Sequence, residues 1–218
     1  MKRAKVTLLM ALAVVGSALL FAGCSKDDKK QGDSVPISEC VGTYEGQMKI
    51  AFSDIETPDL SAYPDGIKKL VGNYVAELKN GHTDKFSFNL TQNPSDKKGI
   101  ILTEVGSNPE VVYFTEGESV SNGVLFNVTH LKKDADEDES DEVEYSLKYS
   151  LERGAQMYYL EVNGKKTKSY DALYESNKKS FALSLQLKLS LDVKPKDTKL
   201  PKLTVTTVGS YEFEGKKK

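Results

Sequence analysis

The side chains that most often do chemistry are scarce in this chain. It has two cysteines, Cys24 and Cys40, and two histidines, His82 and His130, among 218 residues. Neither histidine belongs to a recognisable metal-ligand spacing, and the sequence contains no His-Glu-x-x-His, Gly-x-Ser-x-Gly or phosphate-binding glycine loop. We therefore expect surface or strand positions for both histidines, no cofactor, and a protein that is not an enzyme.

The densest charged segment holds seven acids in nine residues: Asp134, Asp136, Glu137, Asp138, Glu139, Asp141 and Glu142. Asp134, Asp136 and Asp138 have the one-three-five spacing of a calcium loop. Position six of that pattern is Glu139 instead of glycine, and position twelve is Tyr145 instead of a bidentate glutamate. We expect a solvated, self-repelling loop, and the sequence leaves calcium binding open.

The N-terminus has the three-part order of an export signal. Three basic residues within the first five positions precede an uncharged apolar stretch, 6–21, and the small residues Ala22 and Gly23 come directly before Cys24. This stretch is shorter than the roughly 20 residues that a membrane-spanning helix needs. Residues 1–23 are therefore predicted to be a signal peptide that is removed, and not a retained transmembrane helix.

The residues around Cys24 resemble the lipobox of bacterial lipoproteins. The run 20–24 is Leu-Phe-Ala-Gly-Cys, with Phe21 where the family usually has leucine. The resemblance implies that Cys24 is lipidated and becomes the first residue of the mature chain. Several acyl chains on one residue give a stable membrane anchor, whereas a single chain is marginal.

The four residues that follow resemble the signal by which Bacteroidetes send lipoproteins to the outer cell surface: Ser25, Lys26, Asp27 and Asp28. The resemblance implies a lipoprotein of the outer membrane that is exposed at the cell surface. A periplasm-facing lipoprotein is the alternative.

Residues 24–37 are expected to form a flexible tether. From Ser25 to Pro36 the chain is almost entirely charged, polar or glycine, which buries too little apolar area to offset the entropy of ordering. Within it, Asp33-Ser34-Val35 resembles the acceptor for O-linked glycans in the same phylum, which makes Ser34 a candidate glycosylation site. An ordinary linker tripeptide is equally consistent with these residues.

Composition limits what the mature domain can be. The three basic residues of the signal reduce 30 lysines and arginines to 27, whereas all 32 acids remain, so the net charge is near −5 and no nucleic-acid partner is expected. Residues 38–215 suit one domain. Cys40 is the one thiol left beside a lipidated Cys24, which excludes a disulfide within the chain. Its place before the first predicted strand favours a partly buried hydrophobic role over a reactive one.

Alternation of apolar and polar residues indicates strands. The clearest run is 181–193, which is apolar at every odd position, and the same pattern recurs at 143–151 and 44–52. Shorter stretches raise the count to about nine or ten strands: 86–91, 100–105, 111–115, 124–131, 157–162, 203–208 and 211–213. Turn residues separate them, among them Glu116-Gly117-Glu118.

Strands with one apolar face that are linked by turns predict an all-β fold, either an antiparallel barrel or a sandwich. Helix is expected in one or two short pieces, 66–79 and 169–174, although the first could equally be a strand. The segment 41–46, Val-Gly-Thr-Tyr-Glu-Gly, resembles the start of calycin-like Bacteroidetes lipoproteins of unknown function, with Tyr44 where a lipocalin has tryptophan. The resemblance implies an up-and-down barrel or sandwich, and it implies no ligand.

The aromatic and lysine clusters each have two interpretations. Four tyrosines group in sequence, at 158, 159, 170 and 174, and without any tryptophan in the chain they favour packing over a sugar platform. Lysines cluster at 165–168, 178–179, 194–202 and 216–218. They either blunt exposed sheet edges or meet acidic partners.

Two functions remain open on the sequence alone. Long alternating strands without a catalytic constellation suit a non-catalytic protein that binds a small hydrophobic or glycan ligand in an apolar interior or at an open end. The alternative is a structural or protein-interaction module of the outer-membrane surface. Whether the inward residues of 181–193 fill the interior distinguishes the two.

Overall fold

The computed structural model describes residues 34–106, 111–133, 136–139, 143–154, 158–162 and 165–218. These contain a 3₁₀ helix (Ile37–Cys40), an α-helix, α1 (Asp65–Asn80), and the strands β1 (Gly42–Glu56), β2 (His82–Gln92), β3 (Ile100–Glu104), β4 (Val112–Val120), β5 (Gly123–Lys132), β6 (Asp136–Glu139), β7 (Val143–Gly154), β8 (Tyr158–Val162), β9 (Lys165–Tyr170), β10 (Ala172–Glu175), β11 (Ser180–Pro195) and β12 (Leu203–Lys217). The expected all-β class is confirmed. Neither described helix is long and apolar enough to cross a membrane.

Ten of these strands form one antiparallel sheet that closes on itself. Their order is β10-β5-β4-β3-β2-β1-β12-β11-β7-β6, and β10 also pairs with β11. Closure is possible because β11 is long enough for two partners on one edge, β10 along 180–183 and β7 along 185–195. The fold is therefore barrel-like. The hairpin of β8 and β9 contributes to a small buried cluster, in which Tyr170 and Tyr158 join Leu125 and Leu173.

Side chains fill the interior of the barrel. Every odd residue of β11 from Phe181 to Val193 is at most 4% exposed, as the alternation in the sequence predicts. Aromatic rings from neighbouring strands interlock around this row, with ring centroids 4.9 Å apart between Phe88 and Phe213. At the other end of the row, Ile67 and Val71 of α1 belong to the cluster that contains Leu191, Val193, Leu203 and Val205. The long strands thus enclose a packed core.

Three local predictions from the sequence are wrong. Residues 136–139, expected in an acidic loop, form β6. The expected helix at 169–174 is the end of β9 followed by β10. Ala172, Leu173 and Tyr174 are all buried, so consecutive apolar residues hide the period of two. The expected turn at 116–118 lies inside β4, where Gly117 serves a close approach described below. The helix at 66–79 is confirmed as α1.

The 3₁₀ helix closes the end of the barrel where the tether joins it, which we call the tether end; α1 marks the opposite end. The backbone N–H of Val35 donates to the carbonyl of Val120 at 3.0 Å, and the hydroxyl of Tyr44 donates to the carbonyl of Cys40 at 2.9 Å. The Glu39 carboxylate accepts hydrogen bonds from Tyr174 (3.1 Å), Ser176 (2.5 Å) and Lys179 (2.5 Å). Three separate donors therefore hold the 3₁₀ helix onto β10 and its connection to β11.

The Glu39 contacts predict a loss of stability in acid. The Lys179 and Ser176 hydrogen bonds lower the pKa of Glu39 from its usual 4.5 to about 2. A lowered pKa contributes stability that is complete above about pH 4.5 and is lost as the pH falls towards 2. Because the Glu39 side chain is 30% exposed, solvent screening limits the effect to about 1 kcal/mol.

Chemical denaturation of the wild type and of Glu39→Gln across pH 2–7 measures this contribution. The difference in unfolding free energy should be largest near pH 7 and should shrink below pH 4. Glu77→Gln, on the exposed face of α1, is the control and should change stability by less than about 0.5 kcal/mol at either pH. A Glu39→Gln deficit that stays constant down to pH 2 would contradict the assignment.

Candidate binding cleft

A cleft of about 370 Å³ opens on the barrel near the tether end, and we call it the tether-end cleft. Its lining comes from five parts of the chain: Ile37 of the 3₁₀ helix, Lys98 before β3, Glu116, Gly117, Glu118 and Ser119 of β4, Asn127 of β5, and Lys168 and Tyr170 of β9. Its volume lies within the range of roughly 300–1,000 Å³ that is usual for small-ligand sites.

Beside the cleft, the pairing between β3 and β4 changes at Thr115. Backbone pairing of the two strands ends where Phe114 opposes Ile101. The Thr115 hydroxyl then takes over both backbone groups of Ile100, accepting from its N–H at 3.1 Å and donating to its carbonyl at 2.9 Å. A buried side chain thus replaces the next backbone pair, and backbone contact between β4 and the segment before β3 resumes at Gly117.

Gly117 sets the floor of the cleft. Its N–H donates to the carbonyl of Lys98 at 2.7 Å. A Cβ at this position would lie 2.8 Å from that carbonyl oxygen and 2.7 Å from the ring of Phe126, closer than side chains approach. Glycine is therefore required for the segment before β3 to touch β4, and this contact brings Lys98 to the cleft.

One wall of the cleft is a fixed carboxylate. Glu118 accepts hydrogen bonds from Lys168 (2.8 Å) and from the hydroxyl of Tyr170 (2.5 Å). These bonds, that of Lys168 foremost, lower the pKa of Glu118, while burial raises the pKa of Tyr170 to about 12. Glu118 therefore stays ionised and oriented at neutral pH.

Four other polar side chains of the cleft make no hydrogen bond or ion pair among the described residues, although the charge of Lys98 also helps to lower the pKa of Glu118. The Lys98 ammonium, the Glu116 carboxylate, the Ser119 hydroxyl and the Asn127 amide make no side-chain hydrogen bond or ion pair there. Together they place hydrogen-bond donors and acceptors around one concave space, and these groups include a cation, an anion and two neutral side chains. Groups arranged in this way can meet a ligand that both donates and accepts hydrogen bonds.

A second cleft, of about 490 Å³, lies towards the α1 end, and its charges are already paired. It is lined by Glu139, Glu144, Tyr145, Ser146, Asp192, Lys194 and Lys202. Lys194 contacts Glu144 at 2.8 Å, and Asp192 accepts from Lys148 at 2.6 Å and lies 3.1 Å from Lys202. The hydrogen bond from Lys148 is the main cause that lowers the pKa of Asp192 to about 2. A ligand here would have to displace these contacts.

The residues singled out in the N-terminal sequence lie apart from the cleft. Cys24 and the segment 25–28 fall outside the described residues. Ser34 is exposed, directly before the buried Val35. Cys40 is fully buried, and burial raises the pKa of its thiol to about 12, so it packs as a small hydrophobic side chain.

The histidines and the acidic run are not brought together either. His82 begins β2 and lies 3.2 Å from Asp84, whereas His130 is on β5 and stacks on Phe114 with ring centroids 4.2 Å apart. Of the acidic run, 136–139 form β6, paired with β7, and the remaining acids lie outside the described residues. Across the described chain, no group of three or more His, Cys, Asp or Glu side chains could hold a metal ion.

The tyrosine and lysine clusters contribute to packing and to the cleft in different ways. Tyr170 and Tyr174 are buried at 1% and 0% exposure, as the packing interpretation predicts. Lys168 lines the cleft, while Lys194 and Lys196 pair with Glu144 and Glu139 of the same chain. These two lysines therefore meet acids within the chain.

Sequence reasoning did not find the cleft, because its lining residues are separated by up to some 130 positions and form no motif. The one local signal is Gly117 between two glutamates, which resembles a turn. Comparison with known proteins adds no assignment: no protein-family model and no curated protein matches this chain.

Proposed function

We propose that this protein is a lipid-anchored protein of the outer membrane, exposed at the cell surface, that binds a small glycan without catalysis. Residues 1–23 direct export, Cys24 carries the lipid, and the segment 25–28 selects the outer face. The barrel then presents the tether-end cleft to the ligand. The observation that carries the proposal is a packed interior combined with an outer cleft in which Glu116, Ser119 and Asn127 make no side-chain hydrogen bond or ion pair within the described residues.

The packed interior favours a glycan over a hydrophobic ligand. A hydrophobic ligand would need an apolar space, but the inward side chains of β11 are buried against each other and against the aromatic rings. Neither cleft described above is lined by an inward residue of β11. Sugar hydroxyls, in contrast, both donate and accept, and they match the mixture that Lys98, Glu116 and Asn127 present.

Binding without catalysis is favoured by the state of Glu118. Glycoside hydrolysis commonly uses two carboxyl groups, one of which has a raised pKa and protonates the leaving oxygen. Glu116 and Glu118 lie two residues apart on β4, so the cleft does contain two carboxyls. The hydrogen bonds from Lys168 and Tyr170 lower the pKa of Glu118, which disfavours the acid role.

Intact-mass spectrometry of the protein isolated from membranes of its own host tests the anchor and the ligand together. The chain should begin at Cys24 with added acyl mass, and under native conditions it should retain whole sugar units. Protease treatment of intact cells should remove the barrel from the surface. A chain that keeps residues 1–23, or a barrel that is cut only after lysis, would overturn the anchor or the surface display respectively.

Matched variants locate the ligand. Asn127→Ala with Ser119→Ala should reduce retention of the glycan about tenfold or more, since each lost hydrogen bond to a bound ligand is worth about 1 kcal/mol. Asn73→Ala on exposed α1 with Ser146→Ala in the second cleft is the control and should retain wild-type binding. Equal loss in both pairs would exclude the tether-end cleft as the site.

A protein-interaction module is the second candidate, and the packed interior favours it as well. In that case the protein isolated under native conditions carries a stoichiometric protein partner and no sugar. This result would replace glycan binding and leave the lipid anchor in place.

A further inference from the structure

The tether end of the barrel differs in charge from the rest of the molecule. Three segments meet there beside the 3₁₀ helix: the turn 93–98, the connection 175–179 and the last residues, 216–218. They carry seven lysines: Lys97, Lys98, Lys178, Lys179, Lys216, Lys217 and Lys218. The same segments and the 3₁₀ helix hold three acidic side chains, Asp96, Glu175 and Glu39, and a fourth, Glu45 of β1, pairs with Lys218 at 2.8 Å. We call this surface the lysine rim.

The rim is positive although the chain that carries it is acidic. Residues 24–218 contain 32 acids against 27 lysines and arginines, so the excess of lysine at one end leaves the remainder more strongly negative. Such a distribution gives the molecule a positive end and a negative end. A uniformly charged anionic surface would repel most orientations of this protein and attract the rim.

Most lysines of the rim are available at the surface; Lys217 instead donates a hydrogen bond to the carbonyl of Glu39 at 2.9 Å. Lys97, Lys98 and Lys216 make no ion pair within the described residues, and Lys97 and Lys216 are exposed. Lys178, Lys179 and Lys218 pair with Glu175, Glu39 and Glu45, yet their side chains remain 53%, 56% and 70% exposed. These ammonium groups can therefore approach a second surface without breaking the fold.

The rim also lies where the chain leaves towards its anchor. Val35 is fixed to Val120 at this end, and the stretch from Cys24 to Ser34 spans at most about 35 Å when fully extended. The tether therefore limits how far this end can move from the membrane. The α1 end lies across the length of the barrel from this attachment point.

We propose that the lysine rim docks on the anionic lipid headgroups of the membrane that holds the anchor. The inference relies on the proposed lipid anchor for the identity of that membrane. Each lysine near such a surface strengthens binding about fivefold. Docking holds the barrel upright, with the tether end towards the membrane surface and the α1 end away from it.

Vesicle binding tests the rim without the anchor, so its outcome is independent of lipidation. The chain from Ser25 to Lys218, which holds every described residue, is mixed with phosphatidylcholine vesicles that contain about a third phosphatidylglycerol, or none. We expect the protein to sediment with the anionic vesicles and not with the neutral ones. Salt that shortens the electrostatic screening length to about 3 Å should release the protein from the vesicles. Absence of binding to the anionic vesicles at low ionic strength would overturn the proposal.

Matched triple variants show which lysines act. Lys97→Gln, Lys178→Gln and Lys216→Gln together should weaken binding at least tenfold. Lys69→Gln, Lys79→Gln and Lys199→Gln remove the same charge from exposed positions near the α1 end and should change binding less than twofold. If the two triple variants weaken binding equally, the vesicles attract the whole protein without orienting it, and the proposal is overturned.

A fluorescent label reports the orientation directly. Ser95→Cys places an environment-sensitive dye in the rim turn 93–98, whereas Asn73→Cys places it on exposed α1. Only the rim label should shift its emission on anionic vesicles. A shift at Asn73 and none at Ser95 would show that the opposite end docks.

Discussion

Replacing Gly46 with alanine should unfold the barrel or cost it at least about 4 kcal/mol. Gly46 lies on β1 opposite Gly215 of β12. A Cβ at Gly46 would stand 1.9 Å from the carbonyl oxygen of Glu214 and 2.5 Å from the Cα of Gly215. Both are backbone atoms of a paired strand, so the clash is relieved only by separating β1 from β12. Circular dichroism during urea titration measures the loss.

Gly72→Ala is the matched control for Gly46→Ala. Gly72 lies within α1, where an added Cβ meets nothing within 4 Å. Alanine in a helix interior is favoured over glycine by about 0.5–1 kcal/mol, so this variant should be more stable than the wild type. If the unfolding free energy of Gly46→Ala lies within 1 kcal/mol of the wild-type value, β1 and β12 do not approach as closely as described.

The sequence predicted the elements of the fold better than their closure. The odd-numbered apolar residues of 181–193 identify the inward face of β11, because a strand with one buried face repeats every two residues. Closure depends on β11 pairing with β10 along 180–183 and with β7 along 185–195. Nothing in the local pattern states which distant strand occupies an edge, so barrel and sandwich could not be separated.

Two of the local errors, at 172–174 and at Gly117, have a common physical cause. Residues 172–174 and Gly117 each touch a second layer: β10 is buried on both faces, and Gly117 contacts the segment before β3. Periodicity and turn chemistry describe a segment with one packed face, and they fail where tertiary contacts cover both. The tether-end cleft is built at such a contact, which is why the best candidate site was hidden from sequence reasoning.

The packed interior predicts that Phe181→Ala costs about 3–5 kcal/mol, the usual range for removing a buried phenylalanine. Phe181 is fully buried, with ring centroids 5.7 Å from Tyr44 and 6.4 Å from Phe126. Val105→Ala is the control. At 48% exposure Val105 should change stability by less than about 0.5 kcal/mol. Urea unfolding at neutral pH compares the two variants with wild type.

The same variant decides whether the interior is a core or a pocket for a hydrophobic ligand. Removing the Phe181 ring leaves an apolar void, and an apolar void of sufficient size stays dry and takes up small probes such as benzene or xenon. Phe181→Ala should therefore bind such a probe, and the wild type should not. The probe should raise the melting temperature of the variant, because the probe binds the folded state alone. If the wild type binds the probe equally well, the interior already contains space, and a hydrophobic ligand inside the barrel displaces the outer cleft as the better proposal.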